Sequence, residues 1–328
     1  LQSNSQIVKR PQFVLKFSHE MAYLKIISST FSLFVAIAVG FFAGKKDFLT
    51  ESSTTELSRF VIRILFPIYL FRSAVTYINK ENFLSAPLYT FLNVIVMIAM
   101  WFISRQIVKK ANISPDRIPM FEFTSLAGNT GFFGLTFATL LFGSEEIMAA
   151  ILYDFGGSLV IFMILVPFLL DNNHIHHPIN FLKEPNVIAI LSGLILGILG
   201  VKIPEFLAPS FNLLSQITLP LALILCGAQL ASIKISKEFH FSQVLYVILI
   251  KMILMPLLLF VIVLWIPLDG QMKQFLVVDA ALPSGISMVN FAKTYHQDSD
   301  FAAVAVFATT AFSVIWLPFL LIVLSSIF

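Results

Sequence analysis

Charge is scarce in this sequence. Only 12% of its 328 residues are Asp, Glu, Lys or Arg, about half the share of a soluble domain. No run of Lys and Arg exceeds two residues and the net charge is only +3, which excludes the basic patches of nucleic-acid binding. Cysteine is nearly absent as well: Cys226 is alone inside an apolar run, so the chain forms no internal disulfide. Walker loops, HExxH, nucleophile elbows and dinucleotide fingerprints are all missing. A short apolar region followed by a secretory cleavage site is missing too.

What is present is apolar. Hydrophobic residues fill 58% of the chain, and ten runs are long enough to cross about 30 Å of hydrocarbon at roughly twenty residues each. They are read at Leu24–Gly44, Glu56–Tyr77, Pro87–Val108, Ile118–Phe142, Glu146–Leu170, Asn186–Val201, Ala208–Leu230, Phe241–Pro267, Gln271–Tyr295 and Phe301–Phe328. The polar, basic stretch 1–20 precedes Met21 and is read as a non-native or disordered extension. The longest connection, 171–185, divides the runs into a unit over 21–170 and another over 186–328.

A single shift of 153 residues sets Gly40 on Gly193, Gly44 on Gly197, Pro67 on Pro220 and Asn129 on Leu282, beside Pro283. Five spans per unit is an odd number, so the second unit enters the membrane from the opposite side. The expected fold is therefore an all-α polytopic membrane protein built from two inverted five-helix repeats. Loop Lys and Arg residues, among them Lys45, Lys46, Lys109, Lys110, Arg117 and Lys183, favour one side; only Lys80, Lys202 and Lys273 mark the other. That bias predicts a cytoplasmic central loop and both termini outside, in a plasma membrane. Lys9, Arg10 and Lys16 oppose it.

Two spans carry the letters of a broken helix. Ser125-Leu126-Ala127-Gly128-Asn129-Thr130-Gly131 and Asp279-Ala280-Ala281-Leu282-Pro283-Ser284-Gly285 interrupt the fourth and ninth runs at matching positions. Proline, glycine and small polar residues unwind a helix, and unpaired backbone at membrane depth survives only in protein or beside a watery cavity. The second half of a broken helix starts with free N–H groups and partial positive charge, an anion site. Thr130, Gly131 and Phe132 on one side, with Ser284, Gly285 and Ile286 on the other, are the expected donors. Asn129 adds an amide, Asn290 another one turn beyond, and Pro283 forces the second break. The competing reading is that Gly128, Gly131 and Gly134 only permit close helix packing.

Ionisable residues inside spans are functional candidates by default. Asp154, Lys251 and Asp279 are the deep ones, assigned to charge tuning or proton coupling; Lys251 either pairs with one of the two aspartates, as a structural ion pair, or neutralises a bound anion. Glu122, Arg59 and Arg63 are read nearer the cytoplasmic ends, snorkelling, and Arg72 near the outer interface. Pro67 and Pro220 are kinks or hinges, Gln216 and Gln229 interhelical bonders. His174, His176 and His177 have metal-like spacing without a Cys or carboxylate framework, so no metal is assigned.

The Gly128-Asn129-Thr130-Gly131 break, with Leu282-Pro283-Ser284-Gly285 followed by Asn290 and Tyr295, resembles the auxin efflux carrier family, which includes the PIN-type auxin carriers and bacterial permeases for malate, malonate and related acids. The similarity runs over residues 21–328, and the short central loop is closer to the compact bacterial permeases. It implies a scaffold of helices 1, 2, 6 and 7, a transport domain of helices 3–5 and 8–10, and a substrate at the crossing near Asn129 and Pro283. Asn129 replaces the proline of plant carriers. The expectation is a non-enzymatic secondary carrier of a small carboxylate working by alternating access, without cofactor, with H+ or Na+ coupling open and a homodimer through the scaffold open. The rivals are a sodium-coupled carrier resembling the bile-acid symporters, recruiting Glu122, Asn129, Asp279 and Asn290, and an intramembrane aspartyl protease using Asp154 and Asp279.

Overall fold

The computed structural model describes residues 12–81, 83–111, 113–170, 178–233 and 241–328. Among them the chain is all helical, and its one β-type contact is an isolated antiparallel bridge between Gly128 and Ser284. The helices are α1 (Gln12–Lys45), α2 (Glu51–Tyr77), α3 (Phe83–Lys110), α4 (Ile118–Leu126), α5 (Thr130–Leu141), α6 (Ser144–Leu170), α7 (Pro185–Ile198), α8 (Ala208–Ala231), α9 (Phe241–Leu264), α10 (Gly270–Ala280), α11 (Ser287–Thr294) and α12 (Ser299–Ile327). Seven of them, α1, α2, α3, α6, α8, α9 and α12, are long and apolar enough to cross a membrane. The other three runs of the sequence reading differ for a physical reason. The fourth and ninth are each split in two by their Gly, Asn and Pro residues, and the sixth, α7, has only 14 helical residues.

Residues 12–20 belong to α1. The rest of the segment read as a non-native or disordered extension, residues 1–11, and the histidines His174, His176 and His177 lie outside the described residues. Helix starts follow from capping: Thr50 accepts from Ser53 N, Asp269 from Met272 N and Asp298 from Phe301 N, each filling an orphan donor of a first turn.

Four π-helical segments widen the bundle's helices, at Val61–Leu65 in α2, Thr130–Gly134 in α5, Ile161–Leu170 in α6 and Leu249–Leu254 in α9. Three of them adjoin or contain a proline: Pro67, Pro167 and Pro256. A proline lacks the N–H its turn would use and crowds the preceding carbonyls, and a wider turn relieves both. Pro220 lies inside α8 without interrupting it.

Small residues set the closest helix pairs. α1 packs along α8 and α2 along α7. At Gly40 a methyl group would run into the Ile224 carbonyl, and at Gly193 it would come within 2.8 Å of both Ala74 Cβ and the Phe71 carbonyl. Third comes α3 against α6, where the Thr90 hydroxyl donates to Leu152 O at 3.0 Å and the Asn93 amide to Tyr153 O at 2.6 Å.

Candidate functional site at the crossing of two interrupted helices

Helix α4 ends at Leu126 and α5 begins at Thr130; α10 ends at Ala280 and α11 begins at Ser287. The two gaps touch. Asn129 N donates to Pro283 O at 2.8 Å and Gly285 N to Ala127 O at 3.1 Å, so each gap satisfies the other's backbone across two rungs. The Ser284 hydroxyl donates to Thr124 O at 2.7 Å, and Thr309 Oγ1 of α12 accepts from Ser284 N at 3.2 Å. Unwound backbone at depth is thus received by protein, as a low-dielectric interior requires.

These bonds correct the expected donor set. The N–H groups of Ser284 and Gly285 are already committed, Ile286 N–H has no acceptor among the described residues, and Pro283 and Ser284 do not line the cavity. On the α5 side, the N–H groups of Thr130, Gly131 and Phe132 have no acceptor among the described residues, as the first turn of a helix leaves them.

A cavity of about 680 Å³ opens beside the crossing. Of the residues expected at the site, Asn129, Thr130, Gly131, Phe132, Asp154, Lys251, Gly285, Ile286 and Asn290 line it. Pro67, Pro220 and Asp279 do not. The wall also includes Arg63, Asn93, Cys226 and Gln229, with Glu184 just ahead of α7, none of which the sequence reading had put in the site. Asn180, Glu184, Thr294 and Tyr295 place one end of the cavity near the segment that precedes α7. Farther along α2 the space closes: the Phe66 ring meets Phe132 edge-on at 5.0 Å, and the Tyr69 and Thr139 hydroxyls lie 3.4 Å apart.

All four π-helical segments contribute to this wall, through Val61 to Arg63, Thr130 to Phe132, Ile161 and Lys251. Such wide turns are rare and concentrate at functional sites. They are invisible to a reading based on apolar periodicity.

The charged groups are held individually rather than as contact pairs. Lys251, 1% exposed, donates to Ala280 O at 3.0 Å and lies 3.2 Å from Met255 Sδ. The Ala280 carbonyl belongs to the last turn of α10, where the helix dipole favours a cation. Gly128 makes room for it, since a methyl group there would stand 2.8 Å from Lys251 Nζ. Asp154 accepts the Thr130 hydroxyl at 2.5 Å, close to the start of α5. Asp279 is buried against Gly134, and neither carboxylate oxygen has a hydrogen-bond partner among the described residues. Of the two readings of Lys251, a contact ion pair with Asp154 or Asp279 is not formed within 4.0 Å.

One other expectation changes. Glu122, read as a snorkelling group, is 1% exposed and accepts from Trp101 Nε1 at 2.8 Å with Arg105 Nε at 3.5 Å. Arg63 lies twelve residues after Glu51 in α2, beyond a polar first stretch that holds Arg59. Arg72 donates to Asn212 Oδ1 at 2.6 Å, and Gln229 bonds between helices, to Ser58 Oγ at 2.7 Å. Asn129 Nδ2 has Cys226 Sγ at 4.0 Å as its side-chain neighbour. Among the described residues no three His, Cys, Asp or Glu side chains converge with metal-holding geometry.

The signature of the family described as membrane transport protein matches residues 25–177 and 172–321, nearly the whole chain. The chain belongs to that family, the auxin efflux carriers. Curated relatives agree. Uncharacterized transporter MJ1031 of Methanocaldococcus jannaschii is 27% identical over 294 residues, covering 86% of this chain and 93% of the relative. Uncharacterized transporter YfdV of Escherichia coli is 26% identical over 292 residues, covering 82% and 88%. Membership of a transporter family, together with the multiple apolar helices, makes this auxin efflux carrier family protein a multi-pass membrane transporter.

Proposed function

We propose that the protein is a secondary active carrier of a small organic anion, a carboxylate such as malate or malonate, working by alternating access at the crossing. The observation that carries this reading is the seating of the two helix gaps on one cavity wall, with the free amides of α5, the Asn129 side chain and the Lys251 ammonium beside it. The carboxylate lies against Thr130, Gly131, Phe132 and Asn129, where preorganised donors replace its hydration.

In this reading the chain spans the membrane ten times as two inverted five-helix repeats, with both termini outside. Support for the repeat comes from packing: the Gly40 contact with Ile224 and the Gly193 contact with Phe71 convert into one another under the same shift of 153 residues. Helices α1, α2, α7 and α8 then form the scaffold, which also supplies a dimer surface, and α3 to α6 with α9 to α12 form the moving part. Asp154, Lys251 and Asp279 tune charge or carry a coupling proton, with Na+ as the other candidate ion.

Replacing Asn129 by Ala is expected to lower counterflow of labelled malonate in proteoliposomes about tenfold to a hundredfold, the worth of one lost hydrogen bond to a charged group, at unaltered protein yield. Undiminished counterflow would remove Asn129 from the site. Flux that is not stimulated by malonate on the far side of the bilayer would indicate a pore and overturn the carrier reading.

A further inference from the structure

Arg63 is the one strong cation on the cavity wall that the crossing does not use. It lies twelve residues into the helix Glu51–Tyr77, four residues after Arg59, and lines the cavity. It is the central residue of the π-helical segment Val61–Leu65. Val61, Ile62 and Phe66 share its cavity wall, Phe60 and Ile64 do not line it, and Arg63 itself is exposed.

Among the described residues its charge has no ion-pair partner. The ion pairs found among the described residues are Arg105 with Glu122, Arg117 with Asp298 and Lys293 with Glu51. The carboxylates on the same wall are Asp154, which accepts the Thr130 hydroxyl, and Glu184, which directly precedes α7 near the mouth. Neither comes within 4.0 Å of Arg63.

Its distance from the crossing is short. Phe66, one turn or about 4.5 Å farther along α2, packs on Phe132 at 5.0 Å, and a methyl group on Gly131 would lie 3.4 Å from its ring. Arg63, one turn back on the same cavity wall, therefore stands about one helical turn from the ring that packs against the start of α5. Its planar fork matches a carboxylate in two hydrogen bonds, which a lysine ammonium does not.

We propose that Arg63 is the specificity-determining residue of this carrier: it binds a second acidic group of the substrate, and so selects dicarboxylates over monocarboxylates. This rests on the carboxylate reading of the crossing, and the test separates the two. Binding of succinate, malonate and pyruvate to the detergent-purified full chain is measured by titration calorimetry for the native protein, Arg63→Gln, Arg63→Lys and Asn129→Ala.

The native protein is expected to bind succinate or malonate at least about tenfold tighter than pyruvate, the low end for a charge-assisted bond. Arg63→Gln brings that ratio to about one. Arg63→Lys, which keeps charge without the fork, leaves an intermediate ratio, and Asn129→Ala weakens both classes with the ratio retained. A native ratio near one, or a ratio unchanged in Arg63→Gln, overturns the role of Arg63 while leaving the carboxylate site standing. Absence of binding by all three acids to the native protein overturns both.

Discussion

Lys251→Met is expected to abolish most of the folded yield of this transporter, at a cost of about 3–5 kcal/mol, the range for removing one partner of a buried charge arrangement. Lys251 and Asp279 are each 1% exposed, and they interact electrostatically without touching. Taking the ammonium away leaves the Asp279 carboxylate in the interior with no hydrogen-bond partner to spread its charge. It also strips a donor from Ala280 O at the end of α10. Met fills nearly the same volume, so the loss reads out charge rather than packing.

The double variant Lys251→Met with Asp279→Asn removes both charges and is expected to recover more than half of the lost stability. Melting of detergent-purified protein followed by size-exclusion chromatography measures both. A single variant that melts like the native protein would show that Lys251 holds nothing in place. A double variant no better than the single would make Ala280 O, not Asp279, the group that needs the ammonium.

The parts of this molecule that follow from local chemistry were legible in its letters. Glycine, asparagine and proline inside apolar runs announce broken helices, and both gaps fall where those letters stand, at Ala127–Asn129 and between Ala280 and Ser287. The glycines at Gly40, Gly44, Gly193 and Gly197 likewise lie in the tight contacts that small residues allow. What was not legible depends on partners far along the chain. Ser284 and Gly285 look like free donors until Thr309 and Ala127 are seen to accept from them. Glu122 looks like a snorkelling group until Trp101, 21 positions away, is seen to donate to it.

The start of α2 was illegible for a different reason. The run of polar residues from Glu51 to Thr55 reads as loop, yet the Thr50 cap starts a helix there, so α2 begins five residues before the run read from Glu56. The π-helical segments have no periodic signature at all; the trace of three of them in the sequence is a nearby proline, Pro67, Pro167 or Pro256. The cavity wall is therefore half readable. Its glycines, its amides and Lys251 announce themselves, whereas its widened turns do not.

Gly40→Ala and Gly193→Ala probe the packing of the two closest helix pairs, and both are expected to lower the melting temperature of purified protein. The added methyl has nowhere to go. At Gly40 it meets the carbonyl oxygen and Cα of Ile224, and at Gly193 it meets Ala74 Cβ and the Phe71 carbonyl. None of these is the free end of a flexible side chain, so the helix axes must separate along their length. Overpacking of that kind costs about 1–3 kcal/mol, and in a membrane little opposes separation besides the contact itself. The Gly40 variant should be the more damaging, because its methyl lands directly on backbone, and Gly44→Ala, which faces Ala231 Cβ at 2.8 Å, should fall nearer to Gly193→Ala. A Gly40 variant with the native melting temperature would mean that α1 and α8 do not seat as described. A loss at Gly40 with none at Gly193 would break the equivalence of the two contacts and, with it, the packing support for an inverted repeat.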